Sequence, residues 1–337
     1  MRLFIAGHRG MVGRAILARV RDMEGVTPIT AARADLDLRD AGAVAAFLRG
    51  TRPDRIILAA AKVGGIAANM ADPAGMLTDN IAIALSVAEA ARQAGVERML
   101  HIGSSAVYPP GAPQPLEEGA LLSGPPDPGH MGYAMAKLTA LAHAAACNDQ
   151  YGSDFRTILP TNLYGPGDNF HPRNAHVLAA LLLRFHEAAR DGAREVTVWG
   201  SGAPRREFLH VEDMARAALF VLDMPRADFA AATRGALPAL NVGTGEDVSI
   251  AEVAEMLAEV TGFTGAIRFD RSKPDGVARK LLDVGRLARA GWRAEISLGE
   301  GLAQTHDWLK RQDRLRGADS GLDSGLDSGV GFGGRDR

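Results

Sequence analysis

The sequence has little cysteine: Cys147 is the only one in 337 residues. It cannot close an intramolecular disulfide, so the fold rests on its core and the chain reads as cytoplasmic rather than as a disulfide-stapled secreted protein. No apolar stretch reaches the ~20 uninterrupted residues that a membrane span needs, and even Ile81 to Ala91 is bounded by charge. No basic segment followed by an apolar one precedes the first strand-like run at Arg2 to Ala6, so no leader is expected. Charge of neither sign dominates: 38 Lys and Arg stand against 40 Asp and Glu, a formal net charge of −2. That balance argues against nucleic acid as a partner, and any anionic ligand must be held by a few placed arginines rather than by bulk attraction. No metal site is expected.

Apolar residues, by contrast, are plentiful at 47%, enough for one large or two intimately packed domains. Short unbroken apolar runs at Leu3 to Ala6, Thr27 to Thr30, Ile56 to Ala59, Met99 to Ile102 and Thr157 to Leu159 alternate with helix-patterned segments. A strand with one wet face would alternate in polarity. These do not, so the pattern predicts an α/β fold with a doubly wound parallel sheet of Rossmann type, covered on both faces. Beyond Asn162 the alternation weakens, and Ala175 to Ala189, Ile250 to Val260 and Leu298 to Lys310 read as helices of a smaller, discontinuous α/β lobe. The expected division is 1–165, mainly cofactor-binding, and 166–316, mainly substrate-binding, with some segments returning to the first. The Gly-Ser-Asp near-repeat of 317–337 has too little apolar surface to offset the entropy of ordering and is expected to be disordered.

Directly after the first strand comes Gly7-His8-Arg9-Gly10-Met11-Val12-Gly13, opening a helix. Glycines there permit a tight turn and close backbone approach to a pyrophosphate, while the helix N-terminus offers N–H groups and a positive dipole end. Gly7, Arg9, Gly10, Met11, Val12 and Gly13 are therefore candidate cofactor-binding residues. An acidic residue after the second strand would grip the ribose 2′-hydroxyl of NAD; that strand end instead reads Ala31-Ala32-Arg33. Arg33 and Arg9 are forked cations suited to a 2′-phosphate, so NADP(H) is the expected cofactor. The competing reading is that both are ordinary surface arginines.

Tyr133 and Lys137, four residues apart, share one face of a helix. An ammonium beside a phenol stabilises phenolate and is expected to draw the tyrosine pKa down from ~10, making Tyr133 a proton donor and acceptor at a carbonyl oxygen. The fourth strand ends in Gly103-Ser104-Ser105-Ala106, where the Ser104 hydroxyl can hold that same oxygen.

These residues resemble the extended short-chain dehydrogenase/reductases. Longer matches at Ile5 to Gly13, Ala59 to Ile66, Pro160 to Pro166, Asp168 to Pro172 and Arg206 to Val211 are similar to the family that epimerises and reduces GDP-4-keto-6-deoxy-D-mannose to GDP-L-fucose. The resemblance runs from residue 1 to about 310. It implies a multifunctional oxidoreductase and isomerase of nucleotide-sugar biosynthesis, with Ser104, Tyr133, Lys137 and His176 catalytic, and Lys137 and His176 also against the cofactor. Asn162, Arg184, Trp199, Arg206 and Lys280 would contact the GDP-sugar, and a homodimer is implied. For two of these a structural alternative stands beside the functional one: Trp199 as a core aromatic and Arg184 as a helix-face charge.

One position departs. Where the family has Ser-Ser-Cys, with the cysteine exchanging protons at sugar carbons 3 and 5 in partnership with a histidine, this sequence has Ser104-Ser105-Ala106. Cys147 lies ten residues beyond Lys137, ~15 Å along the same predicted helix, and is no obvious substitute. Reduction at carbon 4 with 3,5-epimerisation, reduction without it, and reduction of a related GDP-keto-sugar or heptose all remain open; a remoter reading is a non-catalytic NADP-sensing protein.

Overall fold

A computed structural model describes residues 1–171, 175–312 and 315; the tail from 317, expected to be disordered, lies outside them. Along the first half run β1 (Arg2–Ala6), α1 (Met11–Arg21), β2 (Thr27–Ile29), α2 (Ala41–Thr51), β3 (Arg55–Leu58), α3 (Ile66–Ala71), α4 (Pro73–Gln93), β4 (Arg98–Ile102), α5 (Met131–Tyr151) and β5 (Phe155–Pro160). Alternate residues of β1 face opposite sides of the sheet. Leu3 and Ile5 pack with Ile16 and Val20 of α1, whereas Phe4 and Ala6 pack with Val44 of α2 and Val87 of α4. Both faces are covered, which is why all five residues of β4 are buried.

The second half contributes β6 (Asn162–Tyr164), α6 (Val177–Arg190), β7 (Glu195–Trp199), β8 (Arg205–Arg206), β9 (Phe208–His210), α7 (Val211–Asp223), α8 (Arg226–Ala232), β10 (Ala239–Val242), β11 (Val248–Ser249), α9 (Ile250–Thr261), β12 (Ala266–Asp270), β13 (Arg279–Lys280), α10 (Gly285–Arg289) and α11 (Leu298–Lys310). Of these, β10 joins the first sheet, whose order is β10-β5-β4-β3-β1-β2 with every pair parallel. The chain steps outward from β1 to β2 and then back across to β3, so the order reverses between β1 and β3. Their carboxyl ends open the crevice in which such sheets take ligands. Helix α7 also returns, its Met214 and Val221 packing in the same core as Ile16 of α1.

The smaller lobe closes over a separate core, in which Leu182 and Phe185 of α6 meet Leu257 of α9, Val198 of β7 and Leu302 of α11. Its helices α9 and α11 each begin with a reciprocal capping box, Ser249 with Glu252 and Ser297 with Glu300, which satisfies N–H groups that the helix itself leaves open.

At the amino-terminal edge of the sheet, Asp154 accepts from Arg98 Nε at 2.6 Å and from Arg156 Nε at 2.7 Å. The two guanidinium groups donate onward to the carbonyls of Leu222 (2.6 Å), Val221 (2.6 Å) and Met224 (2.7 Å). These are the carbonyls that the end of α7 leaves without helical partners, and cations there also meet the negative end of its dipole. Burial would raise the Asp154 pKa, but Arg156 and Arg98 hold it below the usual carboxylate value. Among the described residues no helix is long and apolar enough to cross a membrane, and no group of His, Cys, Asp and Glu could hold a metal ion.

Candidate active site

The turn from β1 to α1 is shaped by glycine. Gly7 has φ +92°, and a Cβ there would stand 2.6 Å from the Ala60 nitrogen; at Gly13 a Cβ would stand 2.2 Å from the Gly7 oxygen. Only hydrogen at these positions lets the start of α1 press against the ends of β1 and β3. Gly10 is the N-cap of α1, with no side-chain cap and no acidic residue in the first turn. Met11 and Val12 open the helix, so its first N–H groups are left for an anion. Next to them the His8 Nδ1 is buried without a hydrogen-bond partner, and burial, then Arg9 and Arg14, lower the pKa of that ring.

Beyond β2 the chain turns through Arg33, exposed like Arg9. The nearby Asp37 spends its carboxylate on Arg39, whose Nη2 donates to it at 2.6 Å. An open glycine cradle, a bare helix N-terminus and two exposed guanidinium groups, with the nearby Asp37 carboxylate hydrogen-bonded to Arg39, fit a dinucleotide carrying an extra phosphate.

At the carboxyl end of β4 stand the three polar groups noted from the sequence. Ser104 accepts from the Ala106 N–H at 3.1 Å, leaving its own proton to donate, and its hydroxyl acts to lower the Tyr133 pKa. One turn further along α5, Lys137 is buried; its Nζ lies 5.7 Å from the centre of the Tyr133 ring and donates to the Ile102 carbonyl at 2.6 Å.

Here the sequence-based expectation needs correction. The Tyr133 pKa is raised, not lowered, pushed up to about 12 by burial against a smaller opposing effect of the Ser104 hydroxyl. Burial likewise brings Lys137 down to about 7. A half-discharged ammonium aimed at a backbone carbonyl stabilises phenolate weakly, and desolvation of the phenol outweighs it.

A second set of groups faces this one from the smaller lobe. Lys280 on β13 is brought to about 8 by burial and by the Arg206 charge, while Asp127 works the other way. Arg206 donates to the carbonyls of Arg205 (2.8 Å) and Val277 (2.5 Å). Asn162 donates to the Glu207 carbonyl at 2.8 Å, fastening β6 to β9, and Arg184 donates to Thr197 O at 2.6 Å, tying α6 to β7.

Trp199 is 66% exposed, which rules out the core-aromatic alternative, and Lys273 Nζ lies 5.8 Å from the centre of its ring. His176 is the N-cap of α6 and makes no capping hydrogen bond; burial, then the charge of His130, depress its pKa. Cys147 is a buried free thiol near the far end of α5, 3.8 Å from His143.

Sequence reasoning missed three residues here. His101 lies 3.3 Å from Lys137 Nζ, and its only signal was an imidazole inside an otherwise apolar strand. His130 and Asp127 precede α5, one and two turns before Tyr133, in a loop without recognised periodicity.

The chain belongs to the NAD dependent epimerase/dehydratase family, whose pattern it matches over residues 3–237. Within that family it is similar along nearly its whole length to the GDP-L-fucose synthase of Escherichia coli (strain K12): 49% identical over 317 residues, covering 94% of this chain and 99% of that protein. A GDP-6-OMe-4-keto-L-xylo-heptose reductase from C. jejuni superposes with a TM-score of 0.85 at 30% identity, over 92% of this chain and 97% of that one. A GDP-L-fucose synthetase from Naegleria fowleri, solved bound to NADP, superposes with a TM-score of 0.82 at 26% identity, over 94% and 96%.

Proposed function

We propose that this protein epimerises carbons 3 and 5 of GDP-4-keto-6-deoxy-D-mannose and reduces carbon 4 with NADPH, releasing GDP-L-fucose. The observation that carries the reading is Lys137 Nζ, 5.7 Å from the centre of the Tyr133 ring and anchored at 2.6 Å to the Ile102 carbonyl, two residues before Ser104 at the end of β4. Gly7, Arg9, Gly10, Met11, Val12, Gly13 and Arg33 hold the cofactor, with Lys137 and His176 at its reactive end. NADPH, when bound, supplies the hydride for carbon 4. Ser104 donates to the carbon 4 oxygen and positions it, and Tyr133, its phenol fully protonated at neutral pH, gives that oxygen its proton. Arg206 and Lys280 neutralise the diphosphate, while Trp199, Arg184 and Asn162 border the nucleotide and sugar.

A second reading, reduction without epimerisation, is favoured by Ala106 and is in keeping with the similarity to a GDP-keto-heptose reductase. Incubation of the purified protein with NADPH and GDP-4-keto-6-deoxy-D-mannose separates the two. An L-fucose product by NMR supports the first, a 6-deoxy sugar of D configuration supports the second, and absence of NADPH oxidation rejects both. The protein works as a cytoplasmic homodimer paired through α4 and α5, where Met135 and Tyr151 lie exposed; a monomer mass by light scattering would refute this assembly.

A further inference from the structure

Ser104 and Lys280 both stand on pieces of structure too short to fix themselves. Ser104 is the N-cap of a single 3₁₀ turn, Ser105–Val107, with Tyr108 at its other end. The bonds that close this turn are long, 3.3 Å from the Val107 N–H to the Ser104 carbonyl and 3.4 Å from the Tyr108 N–H to the Ser105 carbonyl, beyond the ~3.2 Å limit of a well-formed bond. Lys280 ends β13, a strand of two residues, where it lies opposite Arg206 of β8. Both pieces are anchored on one side chain of β10. Asn241, fully buried, accepts at Oδ1 from the Tyr108 hydroxyl at 2.7 Å, and its Nδ2 donates to the carbonyls of Leu116 at 2.8 Å and Asp283 at 3.0 Å. Carbonyls only accept, so the amide has one orientation and both of its protons are used. Leu116 is itself paired with the segment that follows Lys280: its N–H donates to the Leu281 carbonyl at 2.8 Å, and its carbonyl takes the Asp283 N–H at 2.9 Å. The backbone N–H of Asn241 donates to Glu118 Oε1 at 2.9 Å, and Arg286 Nε lies 3.3 Å from the other oxygen of that carboxylate, so the strand that carries the amide is held as well.

We infer that Asn241 is a positioning residue that sets the span between the Ser104 hydroxyl and the Lys280 ammonium, and so between the carbon 4 oxygen and the diphosphate of one bound GDP-sugar. The inference rests on the function proposed above. Tyr108 is the arm towards the reaction: its hydroxyl fixes the ring, the ring fixes the far end of the turn, and the turn keeps the Ala106 N–H on Ser104 Oγ at 3.1 Å. Leu116 and Asp283 form the arm towards the nucleotide. Slippage of either arm leaves a buried donor or acceptor unpaired, which costs more than the bond itself contributes. The arms can be cut separately. Tyr108→Phe removes the first, and Asn241→Asp, which keeps an oxygen for Tyr108 but cannot donate twice, weakens the second.

Single-turnover reduction of GDP-4-keto-6-deoxy-D-mannose by NADPH reads the first arm, and calorimetric titration with GDP reads the second. Tyr108→Phe should slow reduction ~10–10²-fold, the scale of a misplacement of about 1 Å at the reacting centre, with GDP affinity within about twofold of native. Introduced into Ser104→Ala, the same change should cost less than about twofold, because a group that acts through Ser104 has nothing left to position. A tyrosine that only supported the fold would cost as much there as in the native protein. Asn241→Asp should weaken GDP binding ~10-fold, the size of one loosened charge-assisted contact; Asn241→Ser serves the same titration should the Asp variant misfold. A native reduction rate in Tyr108→Phe overturns the inference, as does a loss that persists undiminished in Ser104→Ala, or native GDP affinity in the folded Asn241 variant. A native protein that does not oxidise NADPH with this sugar overturns the parent function instead, and the GDP titration still decides the second arm.

Discussion

Lys137 Nζ stands 3.3 Å from His101 Nε2 while donating to the Ile102 carbonyl at 2.6 Å, so the helix that bears the Tyr-Lys pair is fastened through its lysine to the last two residues of β4. The bond is made at a cost, because both partners are buried and neither is comfortable charged: burial and then the Lys137 charge hold His101 well below its ordinary value, and Lys137 itself comes down to about 7.

That cost is measurable. Between about pH 7 and the ~10.5 of an unperturbed lysine, the unfolded chain binds a proton that the folded one does not, so the Lys137 contribution to stability increases with pH across that window and is least favourable below 7. Lys137→Met should therefore raise the melting temperature of the cofactor-free protein by ~2–4 °C at pH 6–7, with the gap closing towards pH 10, while activity collapses. Differential scanning calorimetry across pH checks both; a lower melting temperature at pH 6 would show that the lost carbonyl bond outweighs the relief.

Tyr133→Phe removes one hydroxyl and leaves the fold alone. The expected result is a fall in kcat of ~10²–10⁴-fold with NADPH affinity within about threefold of native, read by single-turnover reduction and by fluorescence titration. With the phenol at about 12, the native reduction rate should show no loss attributable to Tyr133 between pH 6 and 9.

Much of this site could be read beforehand, and the reason is local. The spacing of Gly7, Gly10 and Gly13 along one tight turn, the i,i+4 Tyr133–Lys137 pair and the polar end of β4 each fall within a few residues, which a linear pattern records, although what makes Gly7 necessary is Ala60, a distant neighbour. The pKa of Tyr133 was misjudged because it depends on how much protein surrounds the hydroxyl, a property of the assembled lobes. His130 went unnoticed for a similar reason: burial and then the charge of Lys280, from a distant segment, lower its pKa. Four of the five strands of the first half, β1, β3, β4 and β5, stood out as apolar runs because two helical layers bury them, whereas β2 lies half-exposed at the edge. β10 escaped because its four residues, all buried, lie outside the regular alternation.

Arg9 and Arg33 should decide the cofactor. Replacing both, as Arg9→Ser with Arg33→Asp, removes two charge-assisted hydrogen bonds of ~1.5–3 kcal/mol each and adds a carboxylate near the ribose. The ratio of kcat/KM for NADPH over NADH should fall by ~10²-fold or more, measured with each cofactor separately. An unchanged ratio would return both arginines to the ordinary surface.

Asp154 holds two buried guanidinium groups far from the chemistry. Asp154→Ala leaves both cations without their carboxylate and should destabilise the protein by ~3–5 kcal/mol, seen as a lower urea midpoint, with kcat of the folded fraction close to native. The loss should be present at neutral pH and should shrink as acid protonates Asp154 in the native protein.

The pairing of Ala239 with Thr157 has a bearing on how the chain comes to exist at all. During synthesis β5 leaves the ribosome well before its neighbour, and until residue 242 has emerged the growing sheet ends in an unsatisfied row of backbone donors and acceptors. A fragment cut near residue 165, where the sequence pattern changes, would keep the whole nucleotide turn and the Tyr-Lys helix yet carry a permanently sticky margin, and α1 would lack the cover of α7. The two lobes are thus not beads that can be exchanged between relatives at one joint; a chimera would have to carry α7, α8 and β10 along with the first half, although in sequence they belong to the second.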